Sequence, residues 1–428
     1  MSMSGIQRGS GSLEDVNPDN AGTPSGTHLF LKRFFFSQMP WAVYWALYFG
    51  PWTWLFRGLS WVVPKQANLV IFGSNEGKHF SDNSRSLFEY IQVNDKPIRA
   101  VWFTNNKEVY RQIEEKYPGK VVMSPSFRAS ILYLRAEQAV ISFGYQDLCK
   151  MPWIPSIKVN QLWHGVPLKK IGLLKTSQRT SEDYGPTWRI FMKWIDKIDR
   201  FFVASEYELK IYTEAFGIPE NRFIISGNPR NDKLHSHKKV NKNKNYGRTI
   251  LYAPTFRVGK GGAHDQESIH MHPEIDEKRM HEFLVENDAK LIIRPHWVST
   301  TSEPTSDRIV RITHDDEPDL NELMIKSDVL VTDYSSAYID WLILNRPVIF
   351  SPYDLIAYTK DYGLLDDYEK LVPPPICHTP SDIFSALAEA LENPSIYADH
   401  REKMKQLYLG DIAGGACGRV YEHISQDM

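Results

Sequence analysis

The chain has 428 residues, 42% of them hydrophobic and 24% charged, with a formal net charge of −2 and three cysteines. That length supports two or three domains with cores of their own, and the near-neutral charge gives no global electrostatic case for nucleic acid, so any attraction to anions has to be local. Cys149, Cys377 and Cys417 are far apart and odd in number, which excludes a disulfide framework and the usual metal spacings and suits a reducing cytosolic setting.

Residues 1–28 are rich in Gly, Ser, Asn, Asp and Pro and are expected to stay disordered, because they cannot bury enough apolar surface to offset ordering. Residues 29–64 form an aromatic segment in which Phe34 to Phe56 carries no charge but holds Trp41, Trp45, Trp52 and Trp54. Pro40 and Gly50-Pro51 break it into short pieces, and Trp and Tyr favour the membrane interface over the hydrocarbon centre. Two short interfacial helices on an anionic membrane surface are expected; a true span and a helical pair packed on the protein's own core are the alternatives.

A strand–helix alternation then fills 65–234. Strands are expected at 68–73, 98–104, 120–123, 139–142, 159–163, 201–204 and 222–226, with helices at 84–92, 107–116, 128–137 and 206–216. Such alternation implies right-handed crossovers and a parallel sheet. Within this unit, 172–200 departs from the pattern: Arg189, Lys193, Lys197 and Arg200 make a basic stripe beside an apolar helical face, which fits either an anionic surface or an ordinary solvated helix. Residues 235–248 are polar and basic without an apolar period and read as a linker. His235 and His237, like His270 and His272, read as loop surface rather than metal ligands. A second α/β unit is expected over 249–428, its strands near 249–254, 290–294, 308–313, 328–332 and 346–350.

Two doubly wound units leave a cleft between facing strand ends, where ligands bind. The chain has neither a G-x-G-x-x-G fingerprint nor a G-x-x-x-x-G-K-[ST] loop, which argues against a nicotinamide enzyme and a P-loop NTPase. The strand ends instead carry His164 with Lys169 and Lys170, then Arg230, Arg257, Arg294 with His296, and Thr332-Asp333-Tyr334-Ser335-Ser336. Arginine forks, hydroxyls and free helix amides are the groups that hold phosphate. A lone histidine is ordinarily structural; one that ends a buried strand at a Gly165 turn, opposite several cationic strand ends, points to transfer chemistry on a substrate with two or more phosphates.

Trp163-His164-Gly165-x-Pro167-Leu168-Lys169, Gly227-Asn228-Pro229-Arg230-Asn231-Asp232, Tyr252-Ala253-Pro254-Thr255-Phe256-Arg257, Arg294-Pro295-His296 and Thr332-Asp333-Tyr334-Ser335-Ser336 occur in that order. Together they resemble the CDP-glycerol glycerophosphotransferase family, which includes teichoic acid primases and polymerases and related capsule enzymes. Gly77-Lys78 with Asp82-Asn83, and Asp340 followed by Arg346-Pro347, also fit. The resemblance covers about residues 67 to 425. It implies a GT-B fold of two Rossmann-like domains, peripheral attachment to the cytoplasmic face of the cell membrane, and transfer of glycerol phosphate from CDP-glycerol with release of CMP. It further implies His164 as general base and His296 as the second essential histidine near the donor pyrophosphate. Arg257, Ser335 and Ser336 would hold the donor phosphates, joined by Thr255, Arg294, Thr332 and Asp333; Arg230 and Asp232 would shape the cleft. Gly165, Lys169 and Lys170 fall on the acceptor side. The family's tail usually carries a serine before its arginine, and here that position is Cys417, followed by the matching Arg419. No required metal is implied, Mg²⁺ at most screening the pyrophosphate.

The motif skeleton leaves CDP-ribitol or another polyol-phosphate donor open, and a GT-B sugar-nucleotide glycosyltransferase is the rival reaction class. The acceptor stays open among a lipid-linked disaccharide, a growing polyol-phosphate chain and a capsule oligosaccharide. An inert membrane-surface scaffold is disfavoured by the histidine and arginine set.

Overall fold

The computed structural model describes residues 54–149, 156–176, 195–238, 248–255, 271–295, 306–314 and 316–427. The expected disordered tail, most of the aromatic segment, most of the basic stripe and linker, and the site candidates Arg257 and His296 lie outside the described residues.

The first sheet has seven strands: β1 (Leu69–Phe72), β2 (Arg99–Thr104), β3 (Val121–Met123), β4 (Gln138–Ile141), β5 (Lys158–Gln161), β6 (Arg200–Val203) and β7 (Phe223–Ile225). They are ordered β3-β2-β1-β4-β5-β6-β7 and paired in parallel throughout. The run Leu-Val-Ile-Phe of β1 is buried on both sides, as helices on both faces of a parallel sheet require. Leu69 and Ile71 join one core cluster, Val70 and Phe72 the other, the alternation of a pleated strand. The second sheet has β8 (Arg248–Tyr252), β9 (Ala289–Ile293), β10 (Ile309–Arg311), β11 (Val329–Thr332) and β12 (Val348–Phe350), all parallel, in the order β10-β9-β8-β11-β12. Leu251 and Leu330 face one cluster, Ile250 and Val331 the other. Strand order reverses between β1 and β4 in the first sheet and between β8 and β11 in the second. Loops leaving such a reversal diverge to opposite faces and open a crevice at the carboxyl ends.

Local chemistry explains the helix ends. Ser205 accepts the Glu208 amide and Gly217, at φ +67°, stops Glu206–Phe216. Thr379 and Asp382 form a reciprocal capping box with Pro380 in the first turn of Pro380–Glu392.

Three boundaries differ from expectation. The linker begins inside a helix, Asp232–Lys238, so His235 and His237 are helical rather than loop residues. Leu355–Tyr362 and Tyr368–Leu371 add helices between β12 and the last helices. The last helix, Ala416–Ser425, does not stay with the second unit: Cys417, Val420 and Ile424 pack in the first unit's core with Val70 and Phe72. Its backbone is tied there by Gln138 Nε2 to the Ile424 carbonyl (2.9 Å) and Arg200 Nη1 to the His423 carbonyl (3.0 Å). Expectation placed 249–428 in one domain because chain order was the only guide; an apolar helical stripe goes to whichever face is unfilled.

Candidate active site

β5 ends at Gln161, two residues before expectation, because Trp163 turns into the left-handed region at φ +51° and Gly165 follows at φ +129°. Asn83, fully buried at the start of the helix Asp82–Val93, holds this turn by donating its side-chain amide to the carbonyls of Leu162 (3.2 Å) and Trp163 (3.0 Å). The His164 imidazole is sandwiched between two aromatic rings, Phe143 at 4.4 Å and 7° and Trp163 at 4.6 Å and 23°. Its Nδ1 lies 3.3 Å from the Ser142 carbonyl oxygen. A carbonyl only accepts, so Nδ1 carries the proton and the neutral ring's lone pair sits on Nε2. Burial holds the imidazole below its ordinary value of 6.5; Asp82 and the Ser142 carbonyl pull it upward and Arg230 pushes it down. It is therefore a neutral base near pH 7.

Arg230 stands beside it, and its role differs from the expected phosphate fork. Nη1 donates to Asp82 Oδ1 (2.9 Å) and to the His164 carbonyl (2.8 Å), while Nη2 pairs with Asp340 Oδ2 at 2.7 Å. Its backbone amide donates to Asn83 Oδ1 (3.0 Å), and its carbonyl accepts from Asn321 Nδ2 (2.9 Å). Burial alone would lower its pKa, but Asp340 and Asp82 more than reverse that, so it stays charged. Asp340 also accepts from Asn231 Nδ2 at 2.9 Å. The guanidinium thus clamps a helix of the first unit, a helix of the second and the turn carrying the histidine. It lines the cleft with two carboxylates already on its fork.

Gly165 is required at this clamp. A Cβ there would lie 2.7 Å from Arg230 Nη2 and 3.6 Å from Ser336 Oγ, on a backbone that L residues avoid. Tyr212 fixes the same residue by donating its hydroxyl to the Gly165 carbonyl (2.7 Å). Gly165→Ala is expected to cost ~2 kcal/mol or more in urea unfolding through backbone strain and the displaced guanidinium, and to lower activity. Gly217→Ala, where a Cβ meets nothing within 4 Å, is the control: about 1 kcal/mol at a left-handed helix end and unchanged activity.

The opposite wall comes from the second sheet's reversal point. Thr332 Oγ1 donates to the Ala253 carbonyl (2.7 Å), the Thr255 amide to Asp333 Oδ1 (2.8 Å), and Tyr368 Oη to the Asp333 carbonyl (2.6 Å). Thr332 and Asp333 are therefore buried ties between neighbouring loops, and Thr255 is held by the same tie. What they present to the cleft are Ser335 and Ser336, which line a cavity of about 280 Å³ with His164, Arg230, Arg294 and His314. Arg294 is buried, its guanidinium donating to the carbonyls of Ile312 and Thr313, so it also builds the loop that brings in His314. The His314 ring meets His79 of the first unit at 4.4 Å.

Asp232 is a correction. Its carboxylate accepts the amides of Ala416 and Cys417, both at 2.8 Å, and caps the last helix instead of facing this cavity. The sequence motif placed it next to Arg230 but could not show the distant helix start that it serves. Lys169 stands apart from this cavity: its ammonium lies 5.6 Å from the rings of Tyr358 and Tyr362, and its backbone bridges Leu364. Lys170 follows with its amide on the Gly363 carbonyl (3.2 Å). Both belong to a joint between the units, and neither lines the cavity. Phe143 and His314 went unread in the sequence, although both follow a strand's carboxyl end, the signal that singled out His164. Among the described residues, no group of three or more His, Cys, Asp or Glu could hold a metal ion.

The arrangement places a neutral base and a set of hydroxyl and cationic donors on opposite walls of one cleft, as deprotonation of a hydroxyl near a developing anion requires. The family model for CDP-glycerol:poly(glycerophosphate) glycerophosphotransferase matches residues 55–426. The teichoic acid glycerol-phosphate transferase of Staphylococcus aureus (strain NCTC 8325 / PS 47) is 29% identical over 376 residues, covering 83% of this chain and 92% of its own. The teichoic acid poly(glycerol phosphate) polymerase of Bacillus spizizenii (strain ATCC 23059 / NRRL B-14472 / W23) is 30% identical over 351 residues, covering 76% of this chain and 84% of its own. The wall teichoic acid polymerase TagF has a TM-score of 0.69 at 23% identity, over 94% of this chain and 96% of that one. At that identity the likeness is one of fold, and the fold is GT-B-like.

Proposed function

Since this chain belongs to the CDP-glycerol:poly(glycerophosphate) glycerophosphotransferase family, we propose that it moves glycerol phosphate from CDP-glycerol to a hydroxyl of a membrane- or lipid-linked polyol-phosphate or glycan acceptor in teichoic acid synthesis. The observation that carries this reading is the neutral His164 facing Ser335 and Ser336 across one cavity. The acceptor oxygen attacks the phosphorus that bears glycerol while Nε2 of His164 takes its proton. The bond from that phosphorus to the bridging oxygen breaks in line, and CMP leaves with the electron pair. Ser335 and Ser336 would meet the equatorial charge, together with Arg257 and His296. No step is routed through a metal; Mg²⁺ is assigned only screening of the pyrophosphate. The test is mass spectrometry of the product made from CDP-glycerol and a defined polyol-phosphate acceptor. One CMP released per added glycerol phosphate is the expected result; product from CDP-ribitol alone, or nucleoside diphosphate release from a sugar nucleotide, overturns it.

We place the enzyme on the cytoplasmic membrane surface. No helix among the described residues is long and apolar enough to cross a membrane. The helix over 54–62 leaves Trp54 74% and Trp61 84% exposed, and Phe127 on the helix Phe127–Arg135 is 82% exposed. The Phe56–Tyr133 ring contact joins the two helices, and Arg57 lies over Trp54. Interfacial aromatics beside arginine suit an anionic headgroup layer. The double variant Trp54→Glu, Trp61→Glu is expected to lose most cosedimentation with phosphatidylglycerol vesicles while keeping its fold by circular dichroism; unchanged sedimentation would remove these helices from the membrane-binding surface.

A further inference from the structure

Asp147 is fully buried and does not line the cleft. Its Oδ2 accepts the amides of Ser142 (2.9 Å), Phe143 (2.7 Å) and Gly144 (3.2 Å), and Oδ1 accepts the Glu76 amide (3.1 Å). Four amides converge on one carboxylate at the reversal point of the first sheet. The loop they gather, which follows β4, supplies two of the contacts that define His164: the Ser142 carbonyl at Nδ1 and the Phe143 ring on one imidazole face. The loop is also packed against the end of β1, where a Cβ on Gly73 would strike the Asp147 carbonyl.

We propose that Asp147 is a positioning residue for His164, fixing through the loop Ser142–Gly144 both the tautomer and the plane of the imidazole. This rests on the reading of His164 as the base. An anion at this depth is unfavourable: burial pushes the Asp147 carboxyl up to about 6 even though all four amides pull it down. A buried charge kept at such a cost is explained by what it orders. Without it the Ser142 carbonyl is free to swing from Nδ1, and the Phe143 ring, itself 36% exposed, loses its backbone anchor. Nε2 would then carry the proton in part of the population, and a base of the wrong tautomer cannot take the acceptor proton.

Turnover and the imidazole ¹⁵N spectrum of selectively labelled protein are the two readouts, with the His164 resonances assigned by their loss in His164→Gln. Asp147→Asn is expected to lower kcat about 10- to 100-fold, the scale of a misplacement near 1 Å. The KM for CDP-glycerol should stay within about twofold, and the spectrum should change from a single Nδ1–H tautomer to a mixture. Phe143→Leu keeps every Asp147 contact and should lower kcat about tenfold by freeing the ring plane; Phe143→Tyr should restore it. If His164→Ala is inactive while Asp147→Asn and Phe143→Leu both keep the parent kcat and spectrum, the positioning role is overturned and the base assignment stands. If His164→Ala keeps its turnover, the base assignment falls and the proposal with it.

Discussion

Replacing His164 by alanine is expected to lower kcat by about 10²- to 10⁴-fold, the usual contribution of a positioned base, with donor KM nearly unchanged. Among the described residues the side chain makes one hydrogen bond to the protein, from Nδ1, so its removal takes away the acceptor for the substrate proton and little donor affinity. Its pH signature is specific. The folded imidazole titrates below 6.5 because burial between Phe143 and Trp163 penalises the cation. The acid limb of kcat/KM should therefore fall below pH 6.5, and Phe143→Leu, which admits water, should move it upward. The linkage has the same sign. With the folded value depressed below the unfolded one, the contribution to stability is fully present above about 6.5 and is lost as pH falls through the folded value. Urea midpoints of parent and His164→Gln should therefore diverge on acidification, the parent falling further. An unchanged rate on purified donor and acceptor would place the base elsewhere.

The largest stability effect is expected at Arg230. Arg230→Ala leaves Asp82 and Asp340 facing each other across a buried space, their side chains only 12% and 7% exposed. Removing one partner of a buried ionic network costs ~3–5 kcal/mol, because the remaining charges are left uncompensated. Asp340 is already pushed upward by burial, with Arg230 as its main counterweight, so it should take up a proton in the variant. Arg230→Lys retains the charge but cannot span Asp82, Asp340 and the His164 carbonyl with one fork, and should lose about half as much stability. The double variant Arg230→Ala, Asp340→Asn should recover part of the loss, a coupling read by a double-mutant cycle. Arg111→Ala removes an exposed pair with Glu108, each side chain 71% exposed, and should change the urea midpoint very little. Arg230 also holds the His164 carbonyl, so activity should fall with stability at Arg230 and not at Arg111.

The α/β alternation was readable because its signals are local. Runs such as Leu69–Phe72 and Val329–Thr332 are continuous and apolar, as strands covered on both faces must be. The helix Lys107–Lys116 begins where Asn106 caps it. The motifs around His164, Ser335 and Ser336 were legible for a related reason: a strand's carboxyl end in an open parallel sheet is a ligand position whatever surrounds it. The tail was misassigned because Ala416–Ser425 packs on strands far away in the chain, and Asp232 because the amides that it caps lie at residues 416 and 417.

Fold class, the two parallel sheets and the chemical kind of the cleft residues were thus determined by the sequence alone, since periodicity, capping and turn residues act over a few positions. Only the tertiary structure decided which polar groups face the cleft and which hold it together. Arg230 and Asp333 each carry the same charge in either role; what separates a ligand-binding group from a structural one is whether its hydrogen bonds are already taken, and the partners named above lie 35 to 148 residues away. For His164 the sequence supplied the imidazole and its place at a strand end. The aromatic sandwich and the Ser142 carbonyl, which make it a neutral base of one tautomer, exist only once β4 and β5 lie side by side.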